Sequence, residues 1–127
     1  MSTVRAFKIG NATFNAAQAS AERQKKLLLL VGGLVSANAG RAGATVIDGS
    51  LLVGSLLALP ESVFDEVADI VLERVKVAGT DTGISVRDFQ GKQLDYFRLI
   101  AELVRWNLED FFDWLVSEKS AGEQASE

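Results

Sequence analysis

Hydrophobic and polar positions alternate at the start of the chain. In AFKIGNATFNA, Phe7 and Ile9 flank a lysine, Gly10-Asn11 is a tight-turn dipeptide, and Thr13-Phe14 follows. A two-residue period broken by such a dipeptide predicts a small β-hairpin over residues 1–16. Two strands alone are marginal in water, so the hairpin is expected to pack on other elements.

From about Ala17 the period becomes helical. AQASAERQKKLLLLVGGLVSA sets charged residues ahead of an apolar run and predicts a helix to about Ala37. Gly32-Gly33 falls inside it, where each glycine costs about 1 kcal/mol against alanine. The pair lets a neighbouring helix come close or marks a helix end. A phosphate cradle would need a preceding strand and a terminal Gly-Lys-Ser/Thr, and both are missing. NAGRAGAT, residues 38–45, reads as a small-residue loop. A helix resumes in VIDGSLLVGSLLAL, with Asp48 as its N-cap. Pro60 suits the first turn of a further helix, PESVFDEVADIVLERV. There Glu61, Asp65 and Glu66 lie near the positive end of the helix dipole, and Val63, Val67, Ile70, Val71 and Val75 form an apolar stripe.

VKVAGTDTGISV interrupts the helical pattern. Val75, Val77, Ile84 and Val86 flank a Gly-Thr-Asp-Thr-Gly loop, as in a second short hairpin or a pair of extended arms. Asp81 between two threonines resembles a fragment of a calcium loop. The further acidic ligands are missing, and turn chemistry accounts for it better. Ser85 to Asp88 has the spacing of a capping box, with aspartate in place of glutamate. The helix it starts is expected to run from about Val86 to Ser117, with Gly91 as the place for a break.

That last helix has two apolar faces. With Phe97 as reference and 100° per residue, Ile100, Ala101, Val104, Leu108, Phe111, Phe112 and Leu115 fall within about 60°, which is an ordinary core stripe. Trp106 projects about 180° from Phe97, among Asp95, Glu102, Glu109 and Asp113. Tyr96, Leu99, Leu103, Trp106 and Trp114 together make a second, weaker edge. Either the helix is sandwiched between two layers of its own domain, or this edge meets another protein, where tryptophan and tyrosine are enriched. A kink at Asn107 would be a third way to bring Trp106 inward.

The elements add up to one small, mainly α domain with a minor β component (α+β). It is a helical bundle with one or two short β-hairpins and a long C-terminal helix. A single globular domain is expected over 1–117, made of a hairpin (1–16), helices (17–75), an extended arm (76–86) and the long helix (87–117). Residues 118–127, whose composition is acidic and polar, are expected to be a flexible tail.

Composition narrows the function. The chain has 127 residues, 48% of them hydrophobic and 24% charged, enough to bury a core. It has no cysteine and no histidine. Disulfides, thiolate metal sites and a cysteine nucleophile are thereby excluded, and the commonest general base and metal ligand are missing. Glu109, Asp110 and Asp113 are close in sequence but read as a solvated helix surface. No catalytic residue, metal site, cofactor or small-molecule substrate is expected, and the protein is not expected to be an enzyme.

Charge is unevenly spread. Residues 1–60 hold six Lys/Arg and two Asp/Glu, whereas residues 61–127 hold seven and fifteen. This is either a polarised solvated surface or a means for copies or partners to meet basic half against acidic half. Scattered basic residues on a chain of net charge −4 argue against nucleic acid. The longest apolar run, LLLLVGGLV, is far short of the roughly 20 residues that span a bilayer. MSTVRAFKIG lacks an apolar core with a cleavage site, so no signal peptide is expected.

Three stretches, FKIGNATFNAAQAS, LERVKVAGTDTGISVRDFQGK and LIAELVRWNLEDFFDWL, resemble the small tail assembly chaperones of tailed bacteriophages and prophages. The likeness covers about half of the chain. It rests on order and character: a short β start, a valine-rich arm before DFQG, and a final helix ending in WN-x-x-DFF. It implies a non-catalytic protein of the host cytoplasm that binds the helical tape-measure protein and assists the tail-tube protein to polymerise around it. Such a protein is absent from the mature virion, self-associates, and in this family often has a frameshifted, extended form. A chaperone of that kind needs an apolar edge or groove for helix faces. The edge of Tyr96, Leu99, Leu103, Trp106 and Trp114 and the glycine-rich segment LLLLVGGLVSANAGRAG are the candidates. The alternatives are a structural tail or head–tail connector or completion protein, and a cytosolic helical adaptor that dimerises.

Overall fold

The computed structural model describes residues 4–43 and 46–125, with side chains up to residue 117. It is an α+β domain, as expected, in which helices outweigh one small antiparallel sheet. Strands β1 (Val4–Ile9) and β2 (Ala12–Ala17) form the hairpin, with Phe7 opposite Phe14 and Ile9 opposite Ala12. Gly10 opens the two-residue turn at φ 61°, a conformation that glycine adopts without strain. A Cβ at Gly10 would also lie 2.9 Å from the carboxylate of Asp95, so the hairpin tip sits tight against the later helix.

The valine-rich arm joins this hairpin. Strand β3 (Val75–Val77) pairs antiparallel with β2, giving the order β1-β2-β3. The second hairpin hardly forms: the return arm contributes one isolated bridge, Lys76 to Gly83. Alternation sends Phe7, Phe14, Ala16 and Val75 into the core, while Lys8, Thr13, Asn15 and Lys76 stay exposed.

Helix α1 (Ala21–Ala42) starts at Ser20, whose hydroxyl accepts from the Arg23 N–H. It begins later and runs further than expected, through most of the segment read as a loop over 38–45. Tertiary contact explains the extension. Ala39 is buried, and the Asn38 amide donates to the Ser55 hydroxyl at 2.9 Å, so the small residues remain helical against the next helix. Gly43 closes α1 in a left-handed cap at φ 65°. Residues 44 and 45 lie outside the described residues.

Helix α2 (Gly49–Leu57) is capped as expected by Asp48, which accepts from the Leu51 N–H at 2.9 Å. Helix α3 (Glu61–Leu72) follows Pro60. Its buried stripe is Phe64, Val67, Ala68, Ile70 and Val71; Val63 is half-buried and Val75 belongs to β3. Part of the charge asymmetry is neutralised here. Arg23 and Lys26 of α1 pair with Glu73 and Glu66 at 3.4 and 3.8 Å, in exposed bridges that stabilise little.

The single long helix expected over 86–117 is three elements. Val86–Phe89 is one 3₁₀ turn, and the capping box of Ser85 and Asp88 closes that turn instead of starting a long helix. Gly91, at φ 77°, lets the chain turn before α4 (Gln93–Asn107). A second break at Leu108 separates α4 from α5 (Glu109–Ala125). The backbone of α5 continues as far as Ala125 through the region read as a tail. The α4 helix is central, touched by α2, α3, α5, β1 and the 3₁₀ turn.

Candidate functional site

The five residues expected on one edge are distributed by the fold. Tyr96, Leu99 and Leu103 are buried, Leu99 and Leu103 completely. Tyr96 packs on Phe64 of α3 and Phe89 of the 3₁₀ turn, with ring centroids 5.9 and 5.3 Å apart. Its hydroxyl titrates above the usual phenol value, first because burial disfavours the anion, then because Asp65 and Asp69 repel it. These three side chains are core and cannot reach a partner in this fold. A helix covered by its own domain on two sides is apolar on two sides, so the second face has an internal cause.

Trp106 stands at the rim. It is half-buried, and its ring meets Phe7 of β1 edge-on at 5.4 Å. The Arg5 guanidinium lies over the other partner, 5.5 Å from the centroid of Phe7. Trp114 is the one residue of the five left outside, 54% exposed, with its ring 6.0 Å from Phe111. Phe111 in turn lies over Gly32 of α1, where an added Cβ would stand 3.6 Å from its ring. A Cβ on Gly32 would meet the Phe111 ring only at ordinary contact distance and press closer on Leu28 of its own helix, while a Cβ on Gly33 would meet open space.

The accessible concave surface runs along the outer side of α4 into α5. At one end, α2 and α4 enclose a recess of about 530 Å³ floored by Val53 and Ala101 and bordered by Leu57, Leu94 and Arg98. Leu57 and Leu94 are 65% and 55% exposed. At the other end, β1, Val46 and Ile47 wall a recess of about 440 Å³ against Arg105, Trp106, Phe112 and Val116. Glu102 lines both recesses, which follow one another along α4 and are together termed the trough. Its lining residues run from Leu94 of α4 to Val116 of α5, on both sides of the break at Leu108.

Sequence reasoning found Trp106 here and missed Leu57, Leu94 and Val46. A signal for Leu57 was present. GSLLVGSLL has no charged residue, and a short helix apolar all round cannot bury every face within a small domain. Nothing comparable marked Leu94 or Val46.

Arg5, Glu102, Arg105, Glu109 and Asp113 place charges of both signs beside the apolar side chains Phe7, Ile47 and Phe112 in the second recess. Among the described residues, no group of three or more His, Cys, Asp or Glu is placed to hold a metal ion. Among them, too, no helix is long and apolar enough to cross a membrane.

No curated protein and no solved structure matches the chain. A family model does, the one described as "Phage tail assembly chaperone protein, TAC", over residues 7–121. The match takes in most of the hairpin, helices α1 to α4 and most of α5. With nearly its full length accounted for in this way, the chain belongs to the phage tail assembly chaperone family.

Proposed function

We propose that this chaperone works without catalysis by holding helical segments of the tape-measure protein in the α2–α4–α5 trough, so that tail-tube subunits can polymerise around that protein. The observation that carries the reading is the pair of exposed leucines, Leu57 and Leu94, which border the same recess between α2 and α4. An amphipathic helix exposes an apolar stripe until something covers it, and exposed leucines beside a recess offer apolar surface to do so. Tape-measure proteins are long helices of this kind, so the chaperone would keep them soluble in the host cytoplasm and leave before the virion is complete.

The test is co-expression with the tape-measure protein of the same phage. The wild-type chain should keep it soluble and co-purify with it. Leu57→Asp with Leu94→Asp should abolish both effects while the chaperone itself stays folded, because both side chains are at the surface. An unchanged yield of soluble complex would show that the trough is not the docking surface. Mass spectrometry of purified virions checks the transient role: finding the chain in stoichiometric amount would make it a structural subunit.

A further inference from the structure

The sheet has an open edge at β1. Beyond β3, the return arm covers the backbone: Lys76 bridges to Gly83, and the Val77 N–H donates to the Thr82 carbonyl at 3.1 Å. β1 has no strand beyond it among the described residues. Ile9 faces Ala12 across a two-residue turn, so Phe7 and Ile9 exchange hydrogen bonds with β2, while Ala6 and Lys8 turn their N–H and C=O groups away from it. β2 shows the matching alternation: the Ala17 N–H donates to the Arg74 carbonyl, and the Thr13 carbonyl accepts from Ala78. Ala6 and Lys8 are exposed, and among the described residues neither receives a backbone hydrogen bond from outside the hairpin. The edge is also basic. The register places Lys8, Thr13, Asn15 and Lys76 on the exposed face of the sheet, and Arg74 continues it opposite Ala17. The three strands hold no aspartate or glutamate. Arg5, Lys8 and Lys76 form no ion pair among the described residues, while Glu73 and Asp95, at the two ends of the sheet, pair with Arg23 and Arg98. A cationic sheet thus stands on a chain of net charge −4.

We infer that β1 accepts an extended, acidic segment of a partner protein as a fourth strand of the sheet. A row that offers both N–H and C=O groups is completed by another polypeptide backbone, which supplies both in return. Phosphate supplies acceptors alone. The exposed face also gives bases nothing to stack on, because Phe7 and Phe14 are buried on the other side, so nucleic acid fits poorly. Charge selects the strand. Lys8 blunts the edge against uncharged strands, the usual protection of an open edge. A carboxylate beside Lys8 on the exposed face turns that protection into attraction, and Lys76 and Arg74 add to it across the sheet. The contacts are few and solvent-exposed, so binding is weak and falls with salt. The inference does not rest on the tape-measure reading, since Leu57 and Leu94 lie on α2 and α4 and not on the sheet.

Nuclear magnetic resonance titration of the full chain tests it. The probe is a short capped peptide of alternating glutamate and valine, with a lysine–valine peptide and a thymidine oligonucleotide as controls. The glutamate peptide should shift the amide signals of Ala6 and Lys8 and slow their exchange with solvent, and the lysine peptide should do neither. Lys8→Glu should weaken binding about tenfold or more by setting like charges together. Ala6→Pro removes an outward N–H and leaves every charge in place; proline is tolerated at such a position on an edge strand, and binding should again weaken about tenfold. If Ala6→Pro fails to fold, the exchange of Ala6 and Lys8 in the wild type decides alone. No shift at millimolar glutamate peptide, or binding unchanged by Lys8→Glu, would overturn the inference. So would shifts without slowed exchange, which mean charge attraction and no added strand, or tighter binding of the oligonucleotide to the same residues. The co-expression experiment reads Leu57 and Leu94 and is decided separately.

Discussion

The side-chain carbonyl of Asn107 accepts a hydrogen bond from the backbone N–H of Ala19 at 2.8 Å, tying the entry to α1 to the end of α4. The same oxygen accepts from the Gln24 amide at 3.2 Å, and the Asn107 amide donates to the Leu103 carbonyl at 2.9 Å. Gln18 adds a bond to the Trp106 carbonyl at 3.1 Å, close to the break at Leu108. A buried asparagine with its polar atoms engaged thus holds the hairpin–α1 junction against the α4–α5 junction. Asn107→Ala should lose about 2–3 kcal/mol, because the Ala19 N–H and the Gln24 amide lose their shared acceptor. Urea unfolding followed by circular dichroism measures the loss.

The two tryptophans should behave differently on truncation. Trp106 packs on Phe7, so Trp106→Ala should cost about 2–3 kcal/mol, less than a fully buried aromatic would. Trp114 is mostly exposed, and Trp114→Ala should change stability by no more than about 0.5 kcal/mol. Emission spectra of the single-tryptophan variants give a second check: Trp106 should emit further to the blue than Trp114.

The adjacent glycines of α1 should separate as well. Gly33→Ala adds a methyl group to open space in a helix and should stabilise by about 0.5–1 kcal/mol. At Gly32 the new Cβ would lie 3.0 Å from a Leu28 methyl and 3.6 Å from the Phe111 ring. Gly32→Ala should therefore gain less, and Gly32→Leu should destabilise by displacing Phe111. Thermal melts of the three variants rank them.

Tyr96 is the sole tyrosine, so phenol absorbance reports it alone. Its folded pKa lies above the ordinary value of 10.0, with burial the main cause. Below that pH the phenol is neutral in both the folded and the unfolded chain, and this part of the stability is fully present. As pH rises past it, the unfolded chain ionises first, so stability falls. Spectrophotometric titration should show ionisation delayed beyond pH 10.0 and coupled to unfolding. Tyr96→Phe should remove that dependence on alkaline pH.

Much of the local structure could be read from the sequence because its causes are local. The Gly10-Asn11 turn, the Asp48 cap and the Ser85–Asp88 box each need partners within a few residues, and each is found. The stripe from Phe97 to Leu115 also follows from helical period alone, and every member is at least half-buried. Lengths were less legible. The small residues from Asn38 to Arg41 favour a loop by themselves and are helical because Ala39 and Asn38 meet α2 or the core.

The sequence by itself determined the element types, their caps and turns, the two apolar faces of the α4 region, and, through its resemblance, the family. Only the tertiary structure decided what lies against the second face. Periodicity states that a face is apolar and is silent about whether its own domain or another chain covers it; here α3 and the 3₁₀ turn cover Tyr96, and Leu99 and Leu103 are sealed in the core. The break at Leu108 and the trough beside it depend on Asn107 reaching residues more than eighty positions away in the chain. Such contacts exist only once the hairpin and α1 have packed against α4, and that is why the exposed pair Leu57 and Leu94 had to be found in the fold.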